Sequence, residues 1–234
     1  MKAIFSALYK ELSAGKSGVL CSIIASEGST PRGSGAKMLV MADGSTAGTI
    51  GGGAVEYRCT ALAKELCREK RSQFQSYRLS AGDIADIGMI CGGNVELFLQ
   101  YLDPADSGLL SLAEQALSLL DSGREVWLVT AIDGDSRWRW GLWNKNGPIA
   151  GLVDLPRENV AQVLGSRPRL LKGNVTMYAE PLSRPGTVYL FGGGHVGRAL
   201  VPILAMTDFR VVVCDQRPDA ASREALPQAA EVYC

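Results

Sequence analysis

The 234-residue sequence holds a single histidine, His195, and that scarcity narrows the chemistry at once. A histidine-rich zinc or iron site cannot be built from one imidazole. Any histidine-dependent catalytic triad would have to use this one residue. An excess of charge is missing too: 24 Lys and Arg balance 24 Asp and Glu. Such a chain lacks the basic field that draws proteins onto nucleic acid or an anionic membrane, so neither is an expected partner. No apolar run approaches the roughly 18 residues needed to span a bilayer. At the N-terminus, Ile4, Phe5, Leu8 and Leu12 recur at helical spacing around Lys10 and Glu11, an amphipathic helix rather than a signal peptide. These absences predict a cytoplasmic protein. The cysteines (Cys21, Cys59, Cys67, Cys91, Cys214 and Cys234) form no Cys-x-x-Cys pair, and a chain of this length needs no staples. They read as reduced thiols.

Glycine, by contrast, is abundant, with 27 residues, many of them clustered at 28–35, 48–53 and 88–93. Each cluster adjoins a run that reads as a strand: 18–25, 37–41, 45–50, 73–79 and 94–101. Glycine at strand ends permits backbone geometry closed to other residues and lets the backbone approach a ligand. Arg32 and Lys37 flank the first cluster and are placed to neutralise a phosphate. Gly51, Gly52 and Gly53 open a helix whose buried face is Val55, Cys59, Leu62 and Leu66, and so present amide donors. Glu56, in the first turn of that helix, caps it or orients the glycine loop. In the third cluster, Cys91 is followed by Gly92 and Gly93, where a thiolate would meet a soft metal.

Further on, 109–120 reads as a leucine-rich helix and 125–132 as a strand. A turn-rich hairpin over 133–148 places Trp138, Trp140 and Trp143 on one packing face of a small sheet. Two prolines and a glycine within 181–186 mark a boundary, dividing the chain into domains 1–183 and 184–234.

The second domain opens with a buried-strand pattern at 187–191, then Gly192-Gly193-Gly194-His195-Val196-Gly197, then an apolar helix and a strand ending at Asp215. That order suits a dinucleotide-type β-α-β unit. Gly192 makes the tight turn, Gly194 lets a pyrophosphate approach, and Gly197 brings the helix close to the strand. His195 stands where the helix begins, to cap it or touch a phosphate, and Asp215 has the place of the acidic residue that binds ribose hydroxyls. On this reading the unit stops after its second strand, and its open sheet edge favours a homodimer.

Four segments together resemble the XdhC/CoxI family. They are Gly28-Ser29-Thr30-Pro31-Arg32-Gly33 with Gly35-Ala36-Lys37-Met38, Gly48-Thr49-Ile50-Gly51-Gly52-Gly53 with Val55-Glu56, Met89-Ile90-Cys91-Gly92-Gly93, and Phe191-Gly192-Gly193-Gly194-His195-Val196-Gly197. The resemblance covers both ends of the chain; the region from about 103 to 184 carries little signature. It implies an α/β architecture in which a glycine-rich α+β domain precedes a partial Rossmann-like domain. It further implies a maturation chaperone, not itself a catalyst, for molybdenum hydroxylases such as xanthine dehydrogenase or aldehyde oxidoreductase. Such a protein binds the molybdenum cofactor, as molybdopterin or a nucleotide form, protects it during sulfuration and delivers it to the apo-hydroxylase. A cysteine desulfurase is a second implied partner. Ala54 departs from the pattern, standing where family members often carry cysteine. The alternative is an NAD(P)-dependent oxidoreductase working through the C-terminal motif.

Overall fold

The computed structural model describes residues 1–78, 93–122, 124–134, 136–152, 154–182, 186–207 and 209–234. The chain divides into two units, Met1–Leu182 and Ser183–Cys234. The first runs α1 (Lys2–Ser13), β1 (Gly18–Glu27), β2 (Lys37–Met41), β3 (Thr46–Thr49), α2 (Gly53–Glu69), β4 (Gln73–Arg78) and β5 (Asn94–Leu102). It continues with α3 (Ser107–Ser122), β6 (Trp127–Ile132), β7 (Trp138–Asn144), β8 (Gly147–Gly151), α4 (Arg157–Ala161), β9 (Arg169–Leu171) and β10 (Thr176–Pro181).

Two antiparallel sheets organise this unit, ordered β3-β2-β1-β5-β4 and β8-β7-β6-β10-β9. Because side chains alternate along a strand, the central strand β1 serves two layers. Val19, Cys21 and Ile23 pack with Met38 and Val40 against Val55, Cys59, Ala63 and Leu66 of α2. Leu20, on the opposite face, joins Leu39, Phe5 and Leu8 of α1, Leu112 and Ala116 of α3, and Leu128, Trp140 and Leu142 of the second sheet. The sheets meet directly where Ile24 and Phe98 pack with Ile132 and Tyr178.

The same period of two corrects the expectation for the tryptophans. Trp138 and Trp140 lie on one face of β7, their rings 5.0 Å apart, and pack toward α1 and α3. Trp143, an odd number of positions along, points to the other face and packs with Trp127, Val129, Val160 and Met177. A single tryptophan face is excluded by the pleat itself.

The second unit runs β11 (Thr187–Phe191), α5 (His195–Met206), β12 (Arg210–Cys214) and β13 (Glu231–Tyr233), with the strands parallel in the order β11-β12-β13. Two expectations change here. A third strand follows the second, too short at three residues to announce itself by periodicity. The predicted buried strand at 187–191 is instead an edge strand, with Tyr189 60% and Phe191 85% exposed. Only part of its apolar run is covered. Leu190 packs against Val201, Val211 and Val213.

Candidate functional site

The hairpin register places the glycine turns at one end of the first sheet. Glu27, the last residue of β1, pairs with Asn94 at the start of β5, and Lys37 at the start of β2 pairs with Thr49 at the end of β3. Three connections therefore emerge together: the 28–36 turn, the 50–52 turn entering α2, and the segment entering β5 at Gly93. Contact geometry confirms that they touch. A methyl group at Gly51 would lie 2.9 Å from Pro31 Cβ and 3.6 Å from both the backbone nitrogen and Cγ of Arg32. One at Gly93 would lie 2.5 Å from the Glu27 carbonyl oxygen, 2.6 Å from that of Ser29 and 2.8 Å from Thr30 Cγ2. Real Cβ atoms do not come within 3.0 Å of such neighbours, so the absent side chains at Gly51 and Gly93 are what allow three backbone turns to nest.

Glu56 organises the middle turn. Its Oε2 accepts hydrogen bonds from Thr49 Oγ1 (2.6 Å), Gly52 N (3.0 Å) and Ile50 N (3.2 Å), while Gly51 N donates to Thr49 Oγ1 (3.1 Å). The carboxylate reaches back one turn to Gly52, the residue that caps the helix, and lies in the first turn, where the helix dipole favours it. Burial works to raise the Glu56 carboxyl, but the bonds from Thr49, Gly52 and Ile50 outweigh it and hold the group below its ordinary value. Gly51 and Gly52, at φ +125° and +75°, adopt the conformation that this arrangement demands.

Arg32 is exposed, and no hydrogen bond or ion pair ties its guanidinium to another described residue. It projects from the turn that Gly51 touches, beside the first turn of α2, where amides have no partner within the helix. Lys37 has a different surrounding from the one its sequence position suggests. Its ammonium is 2% exposed, 2.8 Å from Glu180 Oε1 and 3.0 Å from Ser22 Oγ. It points inward because position 37 falls on the face of β2 opposite Met38, toward the second sheet. Glu180 is a residue that sequence reasoning missed. Cys91 and Gly92 lie outside the described residues, and among the described residues no group of His, Cys, Asp or Glu could hold a metal ion.

A cavity of 360 Å³ opens at this end of the sheet, lined by Ser26 and Glu27, Tyr77 and Arg78, and Asn94 and Glu96. A larger cavity, 560 Å³, lies at the other end of β5 beside Tyr101, Trp138 and Leu112, with Asp103, Asp106 and Asp154 on its rim. The cation among its described lining residues, Arg139, is paired with Asp154 at 2.8 Å. Both hollows carry carboxylates, Asp103, Asp106 and Asp154 at the larger and Glu27 and Glu96 at the smaller, where Arg78 stands beside them.

In the second unit Gly192, Gly194 and Gly197 form the turn into α5, with Gly194 as its cap and His195 as the exposed first helical residue. A methyl group at Gly197 would sit 2.1 Å from the Gly192 carbonyl oxygen, so close helix–strand packing requires glycine there. Gly193, a variable position of the motif, is equally enclosed, 2.1 Å from the Ala220 carbonyl oxygen by the same measure. Asp215 is fully engaged within the protein. Oδ2 accepts from Gly193 N (2.8 Å) and Arg217 Nη2 (2.9 Å), and Oδ1 from Arg217 N (2.9 Å) and Nε (3.1 Å). The Arg217 side chain, first among these partners, drives the Asp215 carboxyl far below the usual carboxylate range. A ribose would have to compete with that fork for either oxygen.

Comparison with known proteins finds matches in both units. Residues 11–78 match the XdhC and CoxI family, and residues 188–234 match the XdhC Rossmann domain. The uncharacterized protein YqeB of Escherichia coli (strain K12) is 39% identical over 80 residues, 34% of this chain and 15% of that one. A Bacillus subtilis (strain 168) protein, described as a probable subunit of xanthine dehydrogenase, is 26% identical over 216 residues, 90% of this chain and 63% of that one. The chain thus spans less than two thirds of the length of either curated relative. The crystal structure of a xanthine dehydrogenase from Bacillus halodurans shares the fold, with a TM-score of 0.74 at 22% identity over 98% of this chain and 67% of that one. Both matched segments are present and in that order, so the chain is similar to the XdhC and CoxI family over its N-terminal part and to the XdhC Rossmann domain over its C-terminal part.

Proposed function

We propose that this chain is an accessory factor for the maturation of a molybdenum hydroxylase of the xanthine dehydrogenase type. In this reading it holds the molybdenum cofactor as cargo at the N-terminal glycine turns, shields it during sulfuration and passes it to the apo-hydroxylase. The observation that supports it is the nesting of the turns, with Gly51 against Pro31 and Arg32 and Gly93 against Glu27 and Ser29. Scattered turns would have made no receptor. Nested, they offer bare backbone that a flat pterin can approach, the exposed guanidinium of Arg32, which no described residue pairs, and the amide-rich start of α2 for its phosphate. Cys91, in the stretch that leads to Gly93, is our candidate for contact near the metal.

The relatives favour the same partner: the Bacillus subtilis protein carries the name of a xanthine dehydrogenase component. The hydride-transfer reading is the weaker one, because both oxygens of Asp215 are already held by Arg217 and Gly193.

Reconstitution tests the proposal. An apo molybdenum hydroxylase is mixed with free cofactor, with and without this protein, and hydroxylase activity is followed. The proposal expects faster activation with the protein present and no turnover by the protein alone. Activation rates identical in both mixtures, with no cofactor co-purifying with the protein, would overturn it.

A further inference from the structure

Lys37 and Glu180 are 143 positions apart and come from different sheets, yet they form the one ion pair among those described in which both side chains are 2% exposed. We infer that this pair is a positioning device: it clamps the first glycine turn onto the second sheet and so sets where Arg32 stands. The inference rests on the reading of the turns as the cofactor receptor.

The surroundings support a clamp. Tyr178 and Glu180 share the face of β10 that looks toward the first sheet, while Met177 and Ala179 face away. The Tyr178 hydroxyl donates to the Ile23 carbonyl oxygen (3.4 Å), and Gly35 N donates to that same oxygen (2.9 Å). Lys37 Nζ lies 5.4 Å from the centre of the Tyr178 ring, bonds Ser22 of β1, and ends on Glu180. Gly35 completes the contact. A methyl group there would fall 2.9 Å from Pro168 Cγ and 4.0 Å from Glu180 Oε2. The stem of the turn that carries Arg32 is therefore seated on three residues of the second sheet and its approach, Pro168, Tyr178 and Glu180.

A buried ion pair is weak evidence of a stabilising role, since desolvation of both charges offsets their attraction and well-packed apolar replacements often serve stability equally well. What such a pair supplies is geometry. Among the described residues Glu180 has no hydrogen-bond partner besides its ion pair with Lys37, so Lys37 cannot move without stranding Glu180. Residues 169–181, a region that carries no cofactor motif of its own, thereby act on the site from behind.

The experiment compares the wild-type chain with the Lys37→Met/Glu180→Met double variant and with Lys37→Arg, which keeps the charge. Three quantities are read: melting temperature, amide exchange at Gly35 and Ala36, and retention of molybdenum cofactor. The expected result is a double variant that melts within a few degrees of wild type but exchanges Gly35 and Ala36 faster and holds cofactor about tenfold more weakly. Lys37→Arg should recover much of both. Wild-type exchange at Gly35 together with wild-type retention in the double variant would overturn the inference. Should the wild-type chain itself retain no cofactor, the receptor reading fails, and the clamp is judged on amide exchange alone: faster exchange in the double variant supports it and unchanged exchange refutes it.

Discussion

Glu56 is the side chain on which the middle turn depends most, and its removal has a calculable consequence. In Glu56→Ala, Thr49 Oγ1, Ile50 N and Gly52 N lose their common acceptor. Hydrogen bonds to a charged acceptor contribute about 1.5–3 kcal/mol each, though a half-buried site lets water replace part of that. A net loss of roughly 2–3 kcal/mol follows, or a melting point lower by about 4–12 °C for a chain of this size. Glu56→Gln keeps one oxygen acceptor and should lose about 1 kcal/mol at neutral pH. The pH dependence separates the two forms. Because the folded-state carboxyl lies below its ordinary 4.5, the wild-type advantage is fully present above that value and is lost as pH falls through the folded one. Wild type and Glu56→Gln should therefore converge on the acid side of 4.5 and differ above it. Urea denaturation at a series of pH values measures this directly. A gap that does not change with pH, or a Glu56→Ala variant as stable as wild type, would refute the assignment of the carboxylate as acceptor.

Other substitutions probe separate contacts. Gly51→Ala combines φ +125° with a methyl 2.9 Å from Pro31 Cβ. It should lower stability by about 1–3 kcal/mol in thermal unfolding and weaken cofactor retention. Gly197→Ala forces a methyl to within 2.1 Å of the Gly192 carbonyl oxygen, and should open α5 from β11, seen as faster amide exchange in the second unit alone. Lys37→Met by itself leaves Glu180 buried without a partner and should lose about 3–5 kcal/mol, most of it recovered when Glu180→Met is added. Lys70, left-handed at φ 54° where α2 ends, is better served by glycine: Lys70→Gly should raise stability by roughly 0.5–1 kcal/mol in urea unfolding.

Local pattern carried much of this fold. The helical spacing of Val55, Cys59 and Leu66 and the alternation along β5 are properties of neighbours in sequence, and both appear in the structure. The glycine clusters at 28–35 and 48–53 were legible as turns, and Glu56 as the organiser of the second, because a cap and its acceptor lie four residues apart. Tertiary contacts were not legible in this way. Nothing near Lys37 announces Glu180, so a lysine beside a glycine turn reads as a ligand when it is a buried partner. Phe191 illustrates a second limit: periodicity tells which residues share a face, but not whether a layer covers it. Gly193 is a third case, its necessity arising from a carbonyl at Ala220 that only the folded chain brings near.

The central claim, that the nested turns and Arg32 grip an anionic pterin, is met most directly by the dissociation constant of isolated molybdenum cofactor for the wild-type chain and for Arg32→Ala. The account predicts measurable binding by the wild type that weakens as salt rises. It predicts about tenfold weaker binding by Arg32→Ala at an unchanged melting temperature. Equal affinity in both proteins, or none in either, would contradict it.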